Sequence, residues 1–361
     1  MRILHVNAGE VWSGIEQRIF FIARYLKKKG IYCALAVSPA SPLWSKAEKE
    51  SIPLHPLPIR KKLDFRGIAG LRTVLKKEKI DILHTHRSTD HWIGALAVQW
   101  LPVKVVRTRH NFTSIPENLC NSILYHTWTH HFILVAEKIR ENVQKIGIPP
   151  SRITVIHSAV DVEKFPGRKG VLRKELNIPR EAPLIGMVGR IREHKNYPLF
   201  LEFACLLLRD FPTAHFVIAG EGPLEEVIRG RAETMGLRER IHFIGGREDV
   251  EDVISSFDVF VLTSKIEGSP AVIKEAMLCG VPVVASDVGG IPEIIETGKE
   301  GLLVEPGNPL RIKEAVEFFL THSGEKNKMT EKAKRKILRY FHPDTLGEKT
   351  LEVYEKVLRT E

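Results

Sequence analysis

Residues 258–285 read DVFVLTSKIEGSPAVIKEAMLCGVPVVA. The run 258–262 is apolar and short, as a buried strand is. Gly268-Ser269-Pro270 then opens a helix over 270–279, and a second apolar run, 281–285, follows. Strand, helix and strand in close succession make a βαβ unit, which calls for a parallel sheet.

Outward from this unit the same alternation recurs. Upstream it predicts strand 2–6, helix 15–29 closed by Gly30, and the apolar run 33–37. Helix 64–78, strand 80–84, helix 91–99 and strand 104–107 follow. Helix 117–128, strand 131–135, helix 136–146 and strand 153–156 complete this half. A charged stretch with Pro166-Gly167 breaks the rhythm over 157–182. It restarts with strand 184–188, helix 197–209, strand 215–219, helix 223–235, strand 241–244 and helix 249–256. Beyond the quoted unit come strand 301–304 and helices 309–320 and 325–339. Phe341-His342-Pro343 sets off an amphipathic helix over 344–358. The 361 residues therefore read as an α/β chain of two doubly wound Rossmann-like domains, 1–165 and 166–343. The domains are expected to face one another across a cleft, with the C-terminal helix, 344–361, packing back toward the first.

Composition bounds the function. No apolar run approaches the length of a membrane span, and the N-terminal one is too short for a signal peptide, so a cytoplasmic protein is expected. Cys33, Cys120, Cys205 and Cys279 form no CxxC pair and read as buried free thiols. The net charge is +10, unevenly spread: residues 1–165 hold 25 Lys and Arg against 13 Asp and Glu, whereas the rest is at −2. Lys27-Lys28-Lys29, Arg60-Lys61-Lys62 and Lys76-Lys77 cluster in that basic half, which suits an anionic surface or acceptor. The basic residues lack interleaved aromatics, so nucleic acid is not an expected partner.

Glu267 and Glu275 bracket the start of the helix in the quoted unit. Gly268, Ser269, Pro270 and Ala271 sit where free helix N–H groups suit a phosphate or sugar hydroxyls. Carboxylates accept hydrogen bonds from vicinal diols, which suits Glu275 to a ribose and Glu267 to a sugar ring. With 280–293, GVPVVASDVGGIPE, and 188–196, VGRIREHKN, this stretch resembles the retaining glycosyltransferases of family 4, which have the GT-B fold. The likeness covers nearly the whole chain and is strongest over 184–304.

The resemblance implies roles. Glu267 and Glu275 match the paired glutamates of the family's E-x7-E motif, one on the donor sugar and one on the ribose. Arg190 and Lys195 match the basic pair that neutralises the donor diphosphate, whose charge grows as it leaves. Arg247 lies in the loop that holds the nucleobase. Ser13-Gly14 resembles the glycine-rich loop after the first strand, with Gly14 giving the close backbone approach, though Ser13 departs from the usual glycine pair. His110 matches the position beside the donor sugar. Ser158-Ala159 and Ala136 are further departures, at an Asn-Gly turn and a serine of the relatives. His84-Thr85-His86 resembles the family's strand-end HxH; its histidines are expected on opposite faces of their strand, so no metal is expected and no cofactor beyond a UDP- or GDP-sugar co-substrate.

The expected activity is retaining transfer of a hexose-type sugar to a glycan or anionic glycolipid, in lipopolysaccharide or another cell-envelope glycan. Segment 115–132 offers Ile115, Leu119, Ile123, Leu124, Tyr125, Trp128 and Phe132 as either an interfacial face or an ordinary core helix, so peripheral attachment to the membrane's inner face accompanies this reading. Two alternatives keep the fold: a non-catalytic sugar-nucleotide-binding protein and a soluble small-molecule glycosyltransferase. A sugar-nucleotide epimerase would lack the Arg-Lys and E-x7-E set. A nicotinamide-linked oxidoreductase would need G-x-G-x-x-G after the first strand, where only Gly9 and Gly14 stand.

Overall fold

The computed structural model describes residues 1–57, 64–165 and 171–360. Arg60-Lys61-Lys62 and Pro166-Gly167 lie outside the described residues. The chain divides into two compact units, Met1–Ala159 with Pro343–Glu361, and Val160–His342. Thus the division runs after Ala159, not at 165. Val160 and Phe165 are buried in the second unit's core, and the Val160 amide donates to the Phe341 carbonyl, at the far end of that unit.

The first unit is a seven-stranded sheet: β1 Arg2–Asn7, β2 Tyr32–Val37, β3 Leu54–Pro56, β4 Ile82–Thr85, β5 Lys104–Arg109, β6 His131–Leu134 and β7 Ile153–Val155. Its order is β3-β2-β1-β4-β5-β6-β7, and every pairing is parallel. Both faces are covered, as a parallel sheet requires. Alternation along β1 sorts the side chains. Ile3 packs with Ile19 and Ile22 of helix Gly14–Lys28 and with Tyr354 and Val357 of helix Pro343–Arg359. Leu4 and Val6 pack on the other face with Leu71, Leu75 and Ile93.

The second unit is a six-stranded parallel sheet: β8 Leu184–Val188, β9 His215–Ala219, β10 Ile241–Phe243, β11 Val259–Leu262, β12 Val283–Ser286 and β13 Leu302–Val304. Its order is β10-β9-β8-β11-β12-β13. Phe200, Phe203 and Phe216 form an edge-to-face cluster in its core.

Further details differ from the sequence reading. The helix expected over 117–128 is a four-residue turn, Leu119–Ser122, running into a π-helical turn, Ile123–Thr127. Of the apolar residues of segment 115–132, Ile115, Leu124, Tyr125 and Phe132 are buried in the first unit, whereas Leu119 and Ile123 are exposed. Finally, of the four cysteines Cys33 is buried, Cys205 and Cys279 are only half-buried, and Cys120 is exposed because its short helix buries none of its four residues. Among the described residues no helix is long and apolar enough to cross a membrane.

Candidate functional site

In doubly wound sheets, ligands bind beyond the carboxyl ends of the strands where the order reverses. In the second unit that point lies between β8 and β11. β8 leads into Gly189 and Arg190, and β11 into a loop ending at Glu267. The two loops are sewn together. Thr263 Oγ1 donates to the carbonyls of Lys195 and Asn196, each at 3.0 Å, and the Lys265 amide donates to the His194 carbonyl at 2.7 Å. The Glu267 carbonyl accepts from the Gly290 amide at 2.9 Å. Beside it Gly289 holds φ 58°, and a Cβ there would lie 2.0 Å from that carbonyl, so the turn needs glycine.

This sewing brings Lys195 and Glu267 together. Lys195 Nζ lies 2.5 Å from Glu267 Oε1, which also accepts from Ser264 Oγ at 2.7 Å. Their side chains are only 13% and 11% exposed, so water screens the pair weakly. Arg190, by contrast, is exposed and has no ion-pair partner among the described residues. The sequence thus marked two cations alike, but one is bound and the other free to meet an anion.

Helix Ala271–Leu278 begins just past Glu267, with Pro270 as its N-cap. Buried Lys274 reaches back to Ser269 Oγ at 2.9 Å and ties Ser269 to the helix. Glu275 lies half-buried on this helix, and burial pushes its carboxyl up to about 7. Arg247 is bound on two sides: its guanidinium meets Asp249 at 2.7 Å and Glu175 at 3.0 Å. These hydrogen bonds hold it well above the ordinary arginine range. Its side chain is a clasp inside the second unit, a local pairing that the sequence reading did not foresee.

In the first unit the order reverses between β1 and β4. Here Ser13 caps helix Gly14–Lys28 and closes a capping box with Glu16. Glu16 is fully buried, pairs with Arg87 at 2.7 Å and accepts from Asn7 Nδ2 at 2.8 Å. It therefore locks the end of β1 to the end of β4. A Cβ on Gly9 would lie 2.2 Å from Glu16 Oε1, whereas one on Gly14 would meet nothing within 4 Å. Gly9 is thus held by a close contact inside the protein, whereas Gly14 borders open space. Asp90, buried and pushed up to about 6 by that burial, accepts from the amides of Ala8 and Arg87.

His110 follows β5 and is half-buried. Burial lowers its imidazole well below the ordinary value, and Arg18, Arg107 and Arg87 add to the effect. Its Nε2 lies 3.4 Å from His86 Nδ1. The HxH expectation needs correction. Residues two apart on a strand share a face, and it is Thr85 that points the other way. The His84 and His86 rings stack at 4.3 Å, and one ring nitrogen each of His5, His84 and His86 lie within 4.8 Å of one another. All six ring nitrogens of this trio are already hydrogen-bonded: His5 to His86 and Tyr354, His84 to Tyr354 and Thr108, and His86 to His5 and His110.

The comparisons agree with the fold. The model described as Glycosyltransferase Family 4 matches residues 12–164, and the one described as Glycosyl transferases group 1 matches 169–336. A solved glycosyltransferase from Rickettsia africae superposes with a TM-score of 0.89 at 21% identity, over 100% of this chain and 99% of that one. The class is therefore a glycosyltransferase of the GT-B fold. The chain belongs to family 4 of these enzymes.

Two relatives sharpen the comparison. An Escherichia coli UDP-Gal:alpha-D-GlcNAc-diphosphoundecaprenol alpha-1,3-galactosyltransferase is 29% identical over 81% of this chain and 79% of its own length. A Campylobacter jejuni N,N'-diacetylbacillosaminyl-diphospho-undecaprenol alpha-1,3-N-acetylgalactosaminyltransferase is 26% identical over 80% of each chain.

Proposed function

We propose that this glycosyltransferase moves a hexose-type sugar, with retention, from a UDP-sugar to a diphosphate-linked glycolipid of the cell envelope. The observation that carries the donor reading is the weakly screened Lys195–Glu267 pair beside free Arg190, off the switch-point strands of the second unit. A leaving nucleoside diphosphate gains negative charge, and fixed cations there stabilise it. Glu267 would accept from a sugar hydroxyl and Glu275 from the ribose, with Gly268, Ser269, Pro270 and Ala271 offering the helix N-terminus to phosphate. The acceptor reading draws on the diphosphoundecaprenol acceptors named for the two relatives and on the basic first unit. His110 would meet the donor sugar as a neutral imidazole.

No metal enters this reading. The one cluster with metal-ligand spacing among the described residues, His5, His84 and His86, has its nitrogens engaged within the protein, and buried Arg18 lies near it. Retention follows from a front-face displacement in which the departing phosphate takes the acceptor proton.

The test is thermal stabilisation by UDP-, GDP- and ADP-sugars, followed by anomer-resolved analysis of product formed on a synthetic polyprenyl-diphosphate sugar. Saturable stabilisation by a UDP-sugar, lost in Glu275→Ala, and an α-linked product from an α-linked donor are expected. An inverted product would overturn retention, and a shift with GDP-sugars alone would overturn the donor.

A further inference from the structure

Six side chains of the first unit form one unbranched hydrogen-bonded chain through its core. It runs from Thr108 Oγ1 to His84 Nε2 (2.7 Å), and from His84 Nδ1 to the Tyr354 hydroxyl (2.5 Å). It continues from that hydroxyl to His5 Nε2 (3.2 Å), from His5 Nδ1 to His86 Nε2 (2.9 Å), and from His86 Nδ1 to His110 Nε2 (3.4 Å). Thr108, His84, His5 and Tyr354 are wholly buried, and His86 is 2% exposed. Three strands, β1, β4 and β5, with the residues just past the last two, and the C-terminal helix supply these groups, from positions as far apart as 5 and 354.

A neutral imidazole has one N–H and one lone pair, and a hydroxyl has one proton to give. Each inner member must therefore accept from one neighbour and donate to the other, so all donors point the same way. Only neutral rings fit. Burial lowers His5 to about 3 and holds the other histidines well below the ordinary value, and Arg18 adds to this at each of them. The Thr108 end selects the direction. His84 Nε2 is the partner of the Thr108 hydroxyl among the described residues. If the chain ran toward Thr108, the threonine proton would be left in the core without an acceptor, a costly outcome for a buried donor. If it runs from Thr108, every group is satisfied and the chain ends on His110 Nε2 as acceptor.

We propose that Thr108, His84, Tyr354, His5 and His86 are positioning residues that fix His110 in the neutral tautomer protonated on Nδ1, so that His110 offers the reacting sugar a hydrogen-bond donor. This rests on the assignment of His110 to the donor sugar. Tyr354 makes the C-terminal helix part of the device.

The tautomer is read by long-range 1H–15N correlation on the full chain with 15N-labelled histidine, with the His110 signals assigned by their loss in His110→Ala. In the wild type His110 is expected to carry its proton on Nδ1. Thr108→Val removes the selecting proton at constant shape, and Tyr354→Phe cuts the chain at its middle. Each is expected to populate the Nε2–H form and lower kcat about tenfold with donor KM unchanged, and Thr108→Ser to restore both. A wild-type proton on Nε2, or an unchanged tautomer in both variants, overturns the proposal. Wild-type turnover by His110→Ala would instead overturn the assignment of His110 to the sugar, whatever the tautomer result.

Discussion

At the scale of the residue, the second unit separates groups that the sequence makes look alike. Lys195, Arg190 and Arg247 all stand in loops beyond strands, but only Arg247 is held by two carboxylates of its own unit. Lys195→Ala should therefore lower kcat by about 10²–10³, the usual cost of removing one group that stabilises developing charge. Arg247→Ala should leave donor KM unchanged and lower the melting temperature. Steady-state kinetics and melting of the two variants side by side check this. Glu275 makes a separate prediction about pH. Its folded value, about 7, lies above its ordinary 4.5, so the folded state binds more protons between those values. The group's contribution to stability is present below pH 4.5 and lost as pH rises through 7. Glu275→Gln escapes that loss. Urea melts should find it about 1–2 kcal/mol more stable than wild type at pH 8, solvent screening trimming the full shift, with the difference vanishing near pH 4.5.

At the scale of the element, legibility followed burial. Strands such as β11 and β12 are continuous apolar runs because both faces of a parallel sheet are covered, and they stand where the sequence placed them. Strand β3, Leu54–Pro56, was missed: it is three residues long and half-exposed at a sheet edge. Helix Pro42–Lys49, eight residues with a Ser41 cap, is too short for a clear period. The candidate donor loops were readable because Glu267, its helix and Glu275 are neighbours in sequence. The chain ending at His110 was not, since residues 5, 84, 86, 108 and 354 meet only through folding. The C-terminal helix tests how tightly that assembly is built. Gly347 faces Tyr25 of helix Gly14–Lys28, and a Cβ there would lie 2.2 Å from Tyr25 Cγ. Gly347→Ala must push the two helices apart, at about 1–3 kcal/mol by the usual cost of overpacking. A denaturant midpoint equal to wild type would show that this face yields freely.

At the scale of the whole molecule, the two units differ in charge more than in architecture. With its returning C-terminal helix, the first unit holds 27 Lys and Arg against 16 Asp and Glu; the second holds 27 against 28. Nothing in a doubly wound fold requires this, and an excess of 11 in one unit suits an anionic partner of that unit. The proposed acceptor, a glycolipid diphosphate in an anionic membrane, would suit it twice, through its headgroup and its surroundings. Leu119 and Ile123, exposed on the turn beside a cavity of about 520 Å³ lined by Ile115, Tyr125 and Lys145, give the same unit an apolar foothold. The two contributions have different signatures. Charge attraction fades as the screening length falls from about 10 Å at 0.1 M salt to about 3 Å at 1 M, and apolar insertion does not. Flotation with vesicles containing phosphatidylglycerol should therefore show binding at low salt that weakens steeply with salt to a small remainder. The remainder should vanish in Leu119→Ser with Ile123→Ser, while the salt-sensitive part persists. Equal flotation with neutral vesicles would mean that the basic charge of this unit does not draw it to the bilayer.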